Sequence, residues 1–348
     1  MTTGLTGNSY SESSVTSRDI ARAANVSQAT VSRVLSGNPK VAAPIRERVL
    51  AAIEQMNYRP NGMARAMRTS RTGNIGVVVS RLGNPIYPEI LQILGQQLTE
   101  RGLRMMVWNT DERDESTAAA AVRESLVDGL VMTTATASSE TLFQAATLNL
   151  PIVLVHRIVE GWPCDQVTSD NRAGGALVAD YLVRSGRRRI GLIEGEPLAS
   201  TIRDRQTGFR ERLQQLGRPL DPACTVRVQS FSHRSGFEAA SHLLELADGP
   251  DAIFCVNDVI ALGARDAARF RSIAVPGDLW LVGYDDIEMA SWPAFDLTTV
   301  RQPLTHMIAE AVARLLSRIG GQPRPPEVVH LPNELVIRGS TDRHRLER

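Results

Sequence analysis

From residue 74 onward, apolar runs of strand length alternate with longer stretches of helical periodicity, and no other feature limits the possible folds as much. Continuous apolar strands that alternate with helices are typical of a parallel sheet covered on both faces. Because roughly 265 residues exceed what one sheet comfortably accommodates, we expect two α/β lobes. The predicted strands are Ile75–Val79, Leu103–Trp108, Gly129–Met132, Ile152–Val155, Ile190–Ile193, Ala252–Cys255 and Leu279–Val282. The predicted helices are Pro88–Arg101, Glu115–Val127, Asn171–Arg184, Asp204–Leu216, Arg234–Leu246 and Asp258–Phe270.

The charge of the chain is divided unevenly between its N-terminal segment and the remainder. Residues 1–72 hold ten Lys or Arg and four Asp or Glu, a net charge of +6, whereas the remainder has a net charge of −5. A small basic segment on a mildly acidic body suggests a module that binds a polyanion. Chance clustering of charge is the alternative at this point.

Cysteine usage and hydropathy indicate the compartment. Cys164, Cys224 and Cys255 are odd in number and widely spaced, so we expect neither a disulfide framework nor a zinc site. The polar residues 1–14 do not resemble a signal peptide and are predicted to form a disordered tail. With no apolar run long enough for a membrane span, we expect a cytoplasmic protein.

Three short helices are predicted in the basic segment. Thr16 and Asp19 have the spacing of a capping box, although the short Asp in place of Glu predicts a weaker reciprocal bond. After a left-handed turn at Asn25, Ser27 caps a second helix, residues 28–35, and a third follows at residues 44–56. The apolar positions expected to form their shared core are Ile20, Ala23, Ala24, Val26, Val31, Val34, Leu35, Ile45, Val49, Ala52, Ile53 and Met56.

The second of these helices has a polar outer face formed by Gln28, Ala29, Ser32 and Arg33. This arrangement is typical of a helix-turn-helix, whose second helix lies in the major groove, where arginine can pair with guanine. A generic three-helix cap would show the same pattern.

The segment from Val15 to Thr69 resembles the LacI–GalR family of bacterial transcriptional regulators, through the strings TVSRVL and YRPN…AR. The resemblance implies a helix-turn-helix domain over residues 15–60 and a hinge helix or linker over residues 61–72. It implies base contacts from Gln28, Ala29 and Arg33, and phosphate contacts from Ser27, Thr30, Ser32, Lys40, Tyr58 and Asn61.

Ala64 and Met67 complete the predicted DNA-binding set. The family usually has Leu where this chain has Met67, and that side chain would enter the minor groove as a wedge. An exposed linker methionine is the alternative interpretation.

The resemblance extends to Gly339 through strings such as FCVNDVIALGA, VGYDD and LTTVRQP. It implies a small all-α helix-turn-helix head plus an α/β two-lobed core similar to periplasmic binding proteins. This effector-binding and dimerisation core would span residues 73–340 and be followed by a tail, residues 341–348. Lobe 1 is expected at about residues 74–171 and 303–331, and lobe 2 at about residues 172–302 and 332–340, with three crossings between them.

Polar and aromatic residues recur just past the predicted strands, where ligands of α/β sheets bind. They are Asn84, Tyr87, His156, Arg157, Asp170, Arg203, Phe231, Asn257, Asp285 and Gln302. The resemblance implies effector contacts from Tyr87, His156, Arg203, Phe231, Asn257, Asp285 and Gln302, and we add Arg157. The family commonly has Asp at His156. A histidine there can donate or carry charge, which with Arg157 and Arg203 favours an anionic ligand such as a sugar acid or phosphate; simple packing of His156 is the alternative.

The predicted function is therefore that of a sequence-specific repressor that binds a pseudo-palindromic operator as a homodimer and responds to a sugar-like effector. No cofactor, metal or membrane partner is expected. A solute-binding protein would need a signal peptide and no basic head. Catalytic motifs such as G-x-S-x-G, H-E-x-x-H or a P-loop do not occur, so an enzyme is not expected.

Overall fold

The computed structural model describes residues 15–35, 37–58, 71–110, 115–322 and 324–342. The chain divides into two compact units, Met1–Thr72 and Gly73–Arg348. The predicted roles of Asn61, Ala64 and Met67, most of the hinge, and residues 1–14 and 343–348 of the two tails lie outside the described residues and stay predictions.

The first unit contains the three expected helices, α1 (Ser17–Ala23), α2 (Gln28–Leu35) and α3 (Ala43–Gln55). Ala21 is buried and Ala23 is exposed, because residues 20, 21 and 24 fall within an arc of about 100° on the helix. Leu35, at the end of α2, is 37% exposed. The predicted core positions Ala23 and Leu35 were therefore wrong. The observed core comprises Ile20, Ala21, Ala24, Val31, Val34, Val49 and Ala52.

Short-range hydrogen bonds define the starts of the first two helices. The Asp19 carboxylate accepts from the backbone N–H of Thr16 at 3.0 Å and from its hydroxyl at 2.7 Å, so the short acid reaches its partner fully, contrary to expectation. Asn25 adopts the predicted left-handed conformation, with φ 51°. The Ser27 hydroxyl oxygen accepts from the N–H of Thr30 at 3.1 Å, which confirms the predicted cap of α2.

The second unit contains two six-stranded sheets flanked by helices. Its strands are β1 (Asn74–Val79), β2 (Arg104–Asn109), β3 (Gly129–Met132), β4 (Ile152–Val155), β5 (Asp165–Ser169), β6 (Ile190–Gly195), β7 (Thr225–Val228), β8 (Ala252–Cys255), β9 (Trp280–Asp285), β10 (Thr298–Arg301), β11 (Val328–Leu331) and β12 (Glu334–Val336). Its helices are α4 (Ile86–Thr99), α5 (Ser116–Arg123), α6 (Glu140–Thr147), α7 (Asn171–Arg184), α8 (Ser200–Gln215), α9 (His233–Leu244), α10 (Asp258–Phe270) and α11 (Leu304–Ile319), with 3₁₀ turns at Pro222–Cys224 and Glu288–Ser291.

The order of strands shows how the chain moves between the lobes. The first sheet has the order β11-β5-β4-β3-β1-β2 and the second β12-β10-β9-β8-β6-β7. The chain therefore passes between the sheets three times, after β5, β10 and β11. Among the described strands, β12 alone runs antiparallel to its neighbour, β10. Strand β12 follows β11 directly, without a helix between them, and begins beside the carboxyl end of β10. The second sheet is therefore mixed rather than purely parallel.

Several elements were not predicted. The strands among them, β5, β7, β10, β11 and β12, lack long apolar runs, whereas helices α6 and α11 have apolar residues at helical spacing that the prediction overlooked. In β5, for example, Gln166 and Thr168 are buried and satisfied by hydrogen bonds to loop carbonyls. Helix α8 begins at Ser200 instead of Asp204, and α5 ends at Arg123 instead of residue 127. None of the described helices combines the length and hydrophobicity needed to cross a bilayer.

Helices α7 and α8 cross in direct backbone contact. A methyl group on Gly175 would overlap the carbonyl of Arg205, and one on Gly208 would overlap the carbonyl of Arg172. Only glycine permits so close an approach. The crossing determines how deeply α8 sits in its lobe, and with it the position of Arg205.

We expect Gly208→Ala to destabilise the second unit by about 1–3 kcal/mol, because the added methyl group must push α7 and α8 apart. Urea unfolding followed by tryptophan fluorescence measures this directly, since all four tryptophans lie beyond residue 100.

Gly95→Ala in α4 is the matched control, because its new methyl group would meet only the flexible end of Met105 at 3.4 Å. It should be neutral or stabilising by about 0.5–1 kcal/mol. Equal effects of the two substitutions would contradict the close crossing.

Candidate functional site

A cleft between the two lobes collects side chains from the carboxyl ends of both sheets. Its free volume is about 20 Å³, which holds about one water molecule. A ligand can therefore enter only after the lobes or their side chains move apart. The lining residues are Arg81, Asn84, Tyr87, His156, Arg157, Thr201, Ile202, Arg205, Phe231, Asn257 and Asp285.

Six of the eight predicted effector residues lie in this lining: Tyr87, His156, Arg157, Phe231, Asn257 and Asp285. They come together because β1, β4, β7, β8 and β9 all end at the cleft. Their contacts with an effector stay a prediction.

Arg203 does not line the cleft. Its half-exposed guanidinium lies 2.8 Å from Glu160 and 3.0 Å from Asp204. Arg205 lies inside instead, because side chains two positions apart on a helix point about 200° apart. Arg203 is therefore not among the lining residues, and its predicted contact with an effector stays a prediction. The only sequence signal for Arg205 was its place in the string R-D-R…GF.

Gln302 supports the cleft from behind. Its Nε2 donates to Oδ1 of Asp285 at 2.8 Å, and its Oε1 accepts from the hydroxyl of Ser169 at 3.0 Å. It does not line the cavity, but it holds Asp285 in place.

Arg205 is the most heavily bonded side chain of the cleft. It is 1% exposed and lies 3.7 Å above the ring of Tyr284. Its Nε donates to Oδ1 of Asn171 at 2.8 Å and its Nη1 to the carbonyl of Val256 at 2.9 Å. Its Nη2 lies 2.8 Å from Oδ1 of Asp285, an ion pair without hydrogen-bond alignment. Arg205 thus ties α7, α8, β8 and β9 together.

His156 follows β4 in a left-handed conformation, with φ 73°. Burial, together with the nearby charges of Arg205 and Arg157, lowers its pKa well below the usual value, so the ring is neutral at pH 7. The expectation that His156 itself could carry charge was therefore wrong in this conformation. It can still exchange hydrogen bonds, and its ring packs edge-on against Tyr87 with centroids 5.7 Å apart.

Arg157 is 5% exposed and bonds to neutral acceptors. Its Nη1 donates to the carbonyl of Thr134 at 3.2 Å, and its Nη2 donates to the hydroxyl of Tyr87 at 3.1 Å. A permanent positive charge is therefore held inside the cleft.

A buried carboxyl group, Asp258, lies behind the second-lobe wall. Its Oδ1 accepts from the Thr299 hydroxyl at 2.6 Å, and its Oδ2 accepts from the N–H of Ile287 at 3.0 Å. Burial, with a further contribution from the charge of Asp285, raises the pKa of Asp258 to about 7. The wall of the cleft thus contains a group that changes protonation near neutrality.

Contacts between the lobes close the rim of the cleft. Besides the Glu160–Arg203 ion pair, the N–H of Ile158 donates to the Ser200 hydroxyl at 2.9 Å. Glu89 in α4 accepts from the N–H of Glu288 at 3.1 Å. The guanidinium carbon of Arg81 lies 5.0 Å from the ring centroid of Phe231. Opening the lobes must break these contacts.

The first unit presents the predicted DNA-reading face on α2. Gln28, Ala29 and Arg33 are exposed, and Gln28 Nε2 donates to the hydroxyl of Ser17 at 2.8 Å. The predicted phosphate contacts Ser27 and Lys40 are exposed, whereas Thr30, Ser32 and Tyr58 are half-buried. Tyr58 packs against the three-helix core. The face has the required composition, and its DNA contacts stay predictions.

Comparison with known proteins finds a family match in each of the two units. The family described as bacterial regulatory proteins, lacI family, matches residues 16–61, and a periplasmic binding protein-like domain matches residues 179–341. The HTH-type transcriptional regulator DegA of Bacillus subtilis (strain 168) is 33% identical over 93% of this chain and 97% of its own length. The chain belongs to the LacI family of transcriptional regulators.

Other LacI-family similarities span the whole architecture. The ribose operon repressor of Halalkalibacterium halodurans is 32% identical over 94% of this chain and 97% of its own length. A structure of the lac repressor dimer bound to operator and the anti-inducer ONPF superposes with a TM-score of 0.84 at 28% identity. It covers 94% of this chain and 99% of the lac repressor chain. The helix-turn-helix head and two-lobed core are thereby confirmed, and these relatives are regulators rather than enzymes.

We expect Asp258→Asn to change how the stability of the LacI-family core depends on pH. The folded state of the natural protein holds a proton on Asp258 that the unfolded chain releases above about pH 4. The contribution of Asp258 to stability therefore falls as the pH rises from about 4 to about 7. The free energy of unfolding of the variant should rise relative to the natural protein over this window, by at most about 1.4 kcal/mol per pH unit.

Urea titrations at a series of pH values, read by tryptophan fluorescence, measure this difference. Asp248→Asn, at an exposed position, is the control and should leave the pH dependence unchanged. A pH-independent difference between Asp258→Asn and the natural protein would show that Asp258 is ionised throughout.

Proposed function

We propose that this protein is an effector-controlled repressor that reads operator DNA with α2 and senses a small polar molecule in the cleft of its core. The observation that carries the proposal is the presence on one chain of an exposed helix-turn-helix face and a cleft lined by buried charged groups. The lac repressor that this chain resembles was solved as a dimer on operator DNA. By analogy, the protein would act as a homodimer on a pseudo-palindromic operator. The protein would bind chromosomal DNA in the cytoplasm, in association with the nucleoid, and would need no catalytic activity.

The mechanism follows from the closed cleft. An effector that enters must separate Glu160 from Arg203 and Glu89 from the N–H of Glu288, or favour a different set of interlobe contacts. The angle between the lobes then changes, and with it the spacing of the two hinge segments in a dimer. Such coupling between effector and DNA sites is typically about 1–3 kcal/mol.

We expect Arg33→Ala to weaken operator binding by about 1–3 kcal/mol and to relax the preference at one base pair, because a base contact is lost. The operator is first selected from random DNA with the full chain, and affinity is then measured by fluorescence anisotropy on the operator and on its single-base variants.

Lys40→Ala provides the contrast, since a phosphate contact carries no sequence information. It should weaken binding on all sequences alike and reduce the slope of affinity against salt by about one. If Arg33→Ala behaves as Lys40→Ala does, Arg33 contacts only phosphate. If no sequence is enriched by the selection, the proposed repressor function fails.

A further inference from the structure

The buried charges that line the cleft are not balanced. Arg157 and Arg205 contribute two buried guanidinium groups, and Asp285 contributes one carboxylate. That carboxylate is already paired with Arg205. Within the described part of the chain, the hydrogen bonds and ion pairs of Arg157 join it only to the neutral groups of Thr134 and Tyr87. A buried cation among neutral dipoles is destabilising, and a bound anion would offset that cost.

Three buried nitrogen atoms of the lining residues lack a hydrogen-bond partner, and only one of them, Nη2 of Arg205, lies within ion-pair distance of a carboxylate. Among the described residues, neither Nε of Arg157 nor Nδ1 of His156 has a hydrogen-bond partner. Buried polar atoms are nearly always paired, so orphaned atoms at a cavity indicate where ligand atoms belong. The Arg157 Nε–H can only donate and carries a permanent charge, which suits an anionic oxygen.

The neutral ring of His156 gives its Nδ1 atom a different role from that of the Arg157 nitrogen. A neutral imidazole nitrogen either donates or accepts a single hydrogen bond, according to the tautomer, and a hydroxyl group can serve as its partner in either case. The unpartnered Nδ1 atom of His156 therefore suits a hydroxyl group of the ligand.

The geometry points to a hydroxylated acid as the effector. Its carboxylate or phosphate binds the Arg157 Nε–H, and one of its hydroxyl groups forms a hydrogen bond with Nδ1 of His156. This inference rests on the proposed effector-binding function of the cleft. A neutral sugar would satisfy His156 but leave Arg157 uncompensated, and a simple acid would do the reverse.

Neighbouring groups fit the same ligand. The Oδ1 atom of Asn257 caps α10 by accepting from the N–H of Ile260 at 2.9 Å, so its amide N–H₂ is available as a donor. Phe231 and Tyr87 supply the aromatic surface against which the C–H face of a sugar-derived chain can pack.

The test uses the full chain and pairs of compounds that differ in one group. Glucose is compared with gluconate, glucuronate and glucose 6-phosphate, galactose with galacturonate, and ribose with ribose 5-phosphate. Hexanoate and inorganic phosphate represent anions without sugar hydroxyl groups. Thermal shift at millimolar concentration selects the compounds, and isothermal titration calorimetry measures their affinities.

We expect at least one sugar acid or sugar phosphate to bind at least tenfold more tightly than its neutral parent and than both hydroxyl-free anions. The carboxylate and phosphate members of the panel tell which anion the site prefers. The proposal is overturned if neutral parents bind as tightly as their acids, or if no acid in the panel raises the melting temperature.

Substitutions at Arg157 and His156 test whether these residues cause the preference for an acid over its neutral parent. Arg157→Gln should lose at least tenfold in affinity for the acid and leave the neutral parent unaffected. His156→Asp places a carboxylate beside Arg157, and it should shift the preference from the acid to the neutral parent. Arg188→Gln removes an exposed cation at the amino end of β6, away from the cleft, and is the control, so its ratio of acid to neutral affinity should stay as in the natural protein. If Arg157→Gln does not fold, the test depends on His156→Asp. A ratio of acid to neutral affinity that is unchanged in His156→Asp contradicts the assignment of a hydroxylated acid as the effector.

Operator binding by the same preparations separates this inference from the proposed function. If the protein binds the operator and only a neutral sugar changes its affinity for the operator, the proposed regulatory function stands and the inference of an anionic effector is wrong. If an acid binds through Arg157 without changing operator affinity, the ligand assignment stands and the proposed effector control fails.

Discussion

The buried guanidinium of Arg205 is the interaction on which the cleft depends. It joins a helix, its neighbour and two strands of the second lobe through Asn171, Val256 and Asp285. Removing a charge from water is costly, and here nearly every donor of the group has an acceptor while the ring of Tyr284 lies against its face. Because Gly175 and Gly208 let α7 and α8 meet at the backbone, this side chain can reach all of its partners at once. The position of Asp285 in the cleft is a consequence.

The ion pair of Arg205 with a carboxylate contrasts with the incomplete hydrogen bonding of Arg157. Both are buried arginines at the same cavity, but one faces a carboxylate and the other faces a carbonyl and a phenol. A fold that pairs one buried guanidinium with a carboxylate and leaves the other without a counter-ion has a place for an anion. The ion pair of Glu160 with Arg203 at the rim has a different character, since both side chains are substantially exposed and the pair can be broken at small cost. The cleft therefore combines a rigid floor with a rim that can open.

The head follows a simpler physical logic. Three short helices share a core of seven small or medium side chains, and the side chains of Asp19 and Ser27 accept hydrogen bonds from backbone N–H groups at the starts of α1 and α2. Little of the outer face of α2 is used for packing, so its exposed residues are available to read DNA. Because the stability of this small module depends on the few residues that face inward, its surface positions are free to be polar and basic.

The architecture could be predicted from local patterns: the helix-turn-helix, the alternation of strands and helices, and six of the residues that line the cleft. These follow from local periodicity, from capping residues such as Ser27 and Asn25, and from the rule that loops at the carboxyl ends of parallel strands converge. Strand β5 escaped prediction because its buried polar side chains, which break the apolar pattern, are satisfied by carbonyl groups of the preceding loop, 7 and 12 positions earlier. The choice between Arg203 and Arg205 required the folded structure, because it depends on where α8 begins and on the depth of its crossing with α7. The folded structure likewise decided that His156 is neutral, since its pKa is set by burial and by two arginines, one of them 49 positions away in the chain.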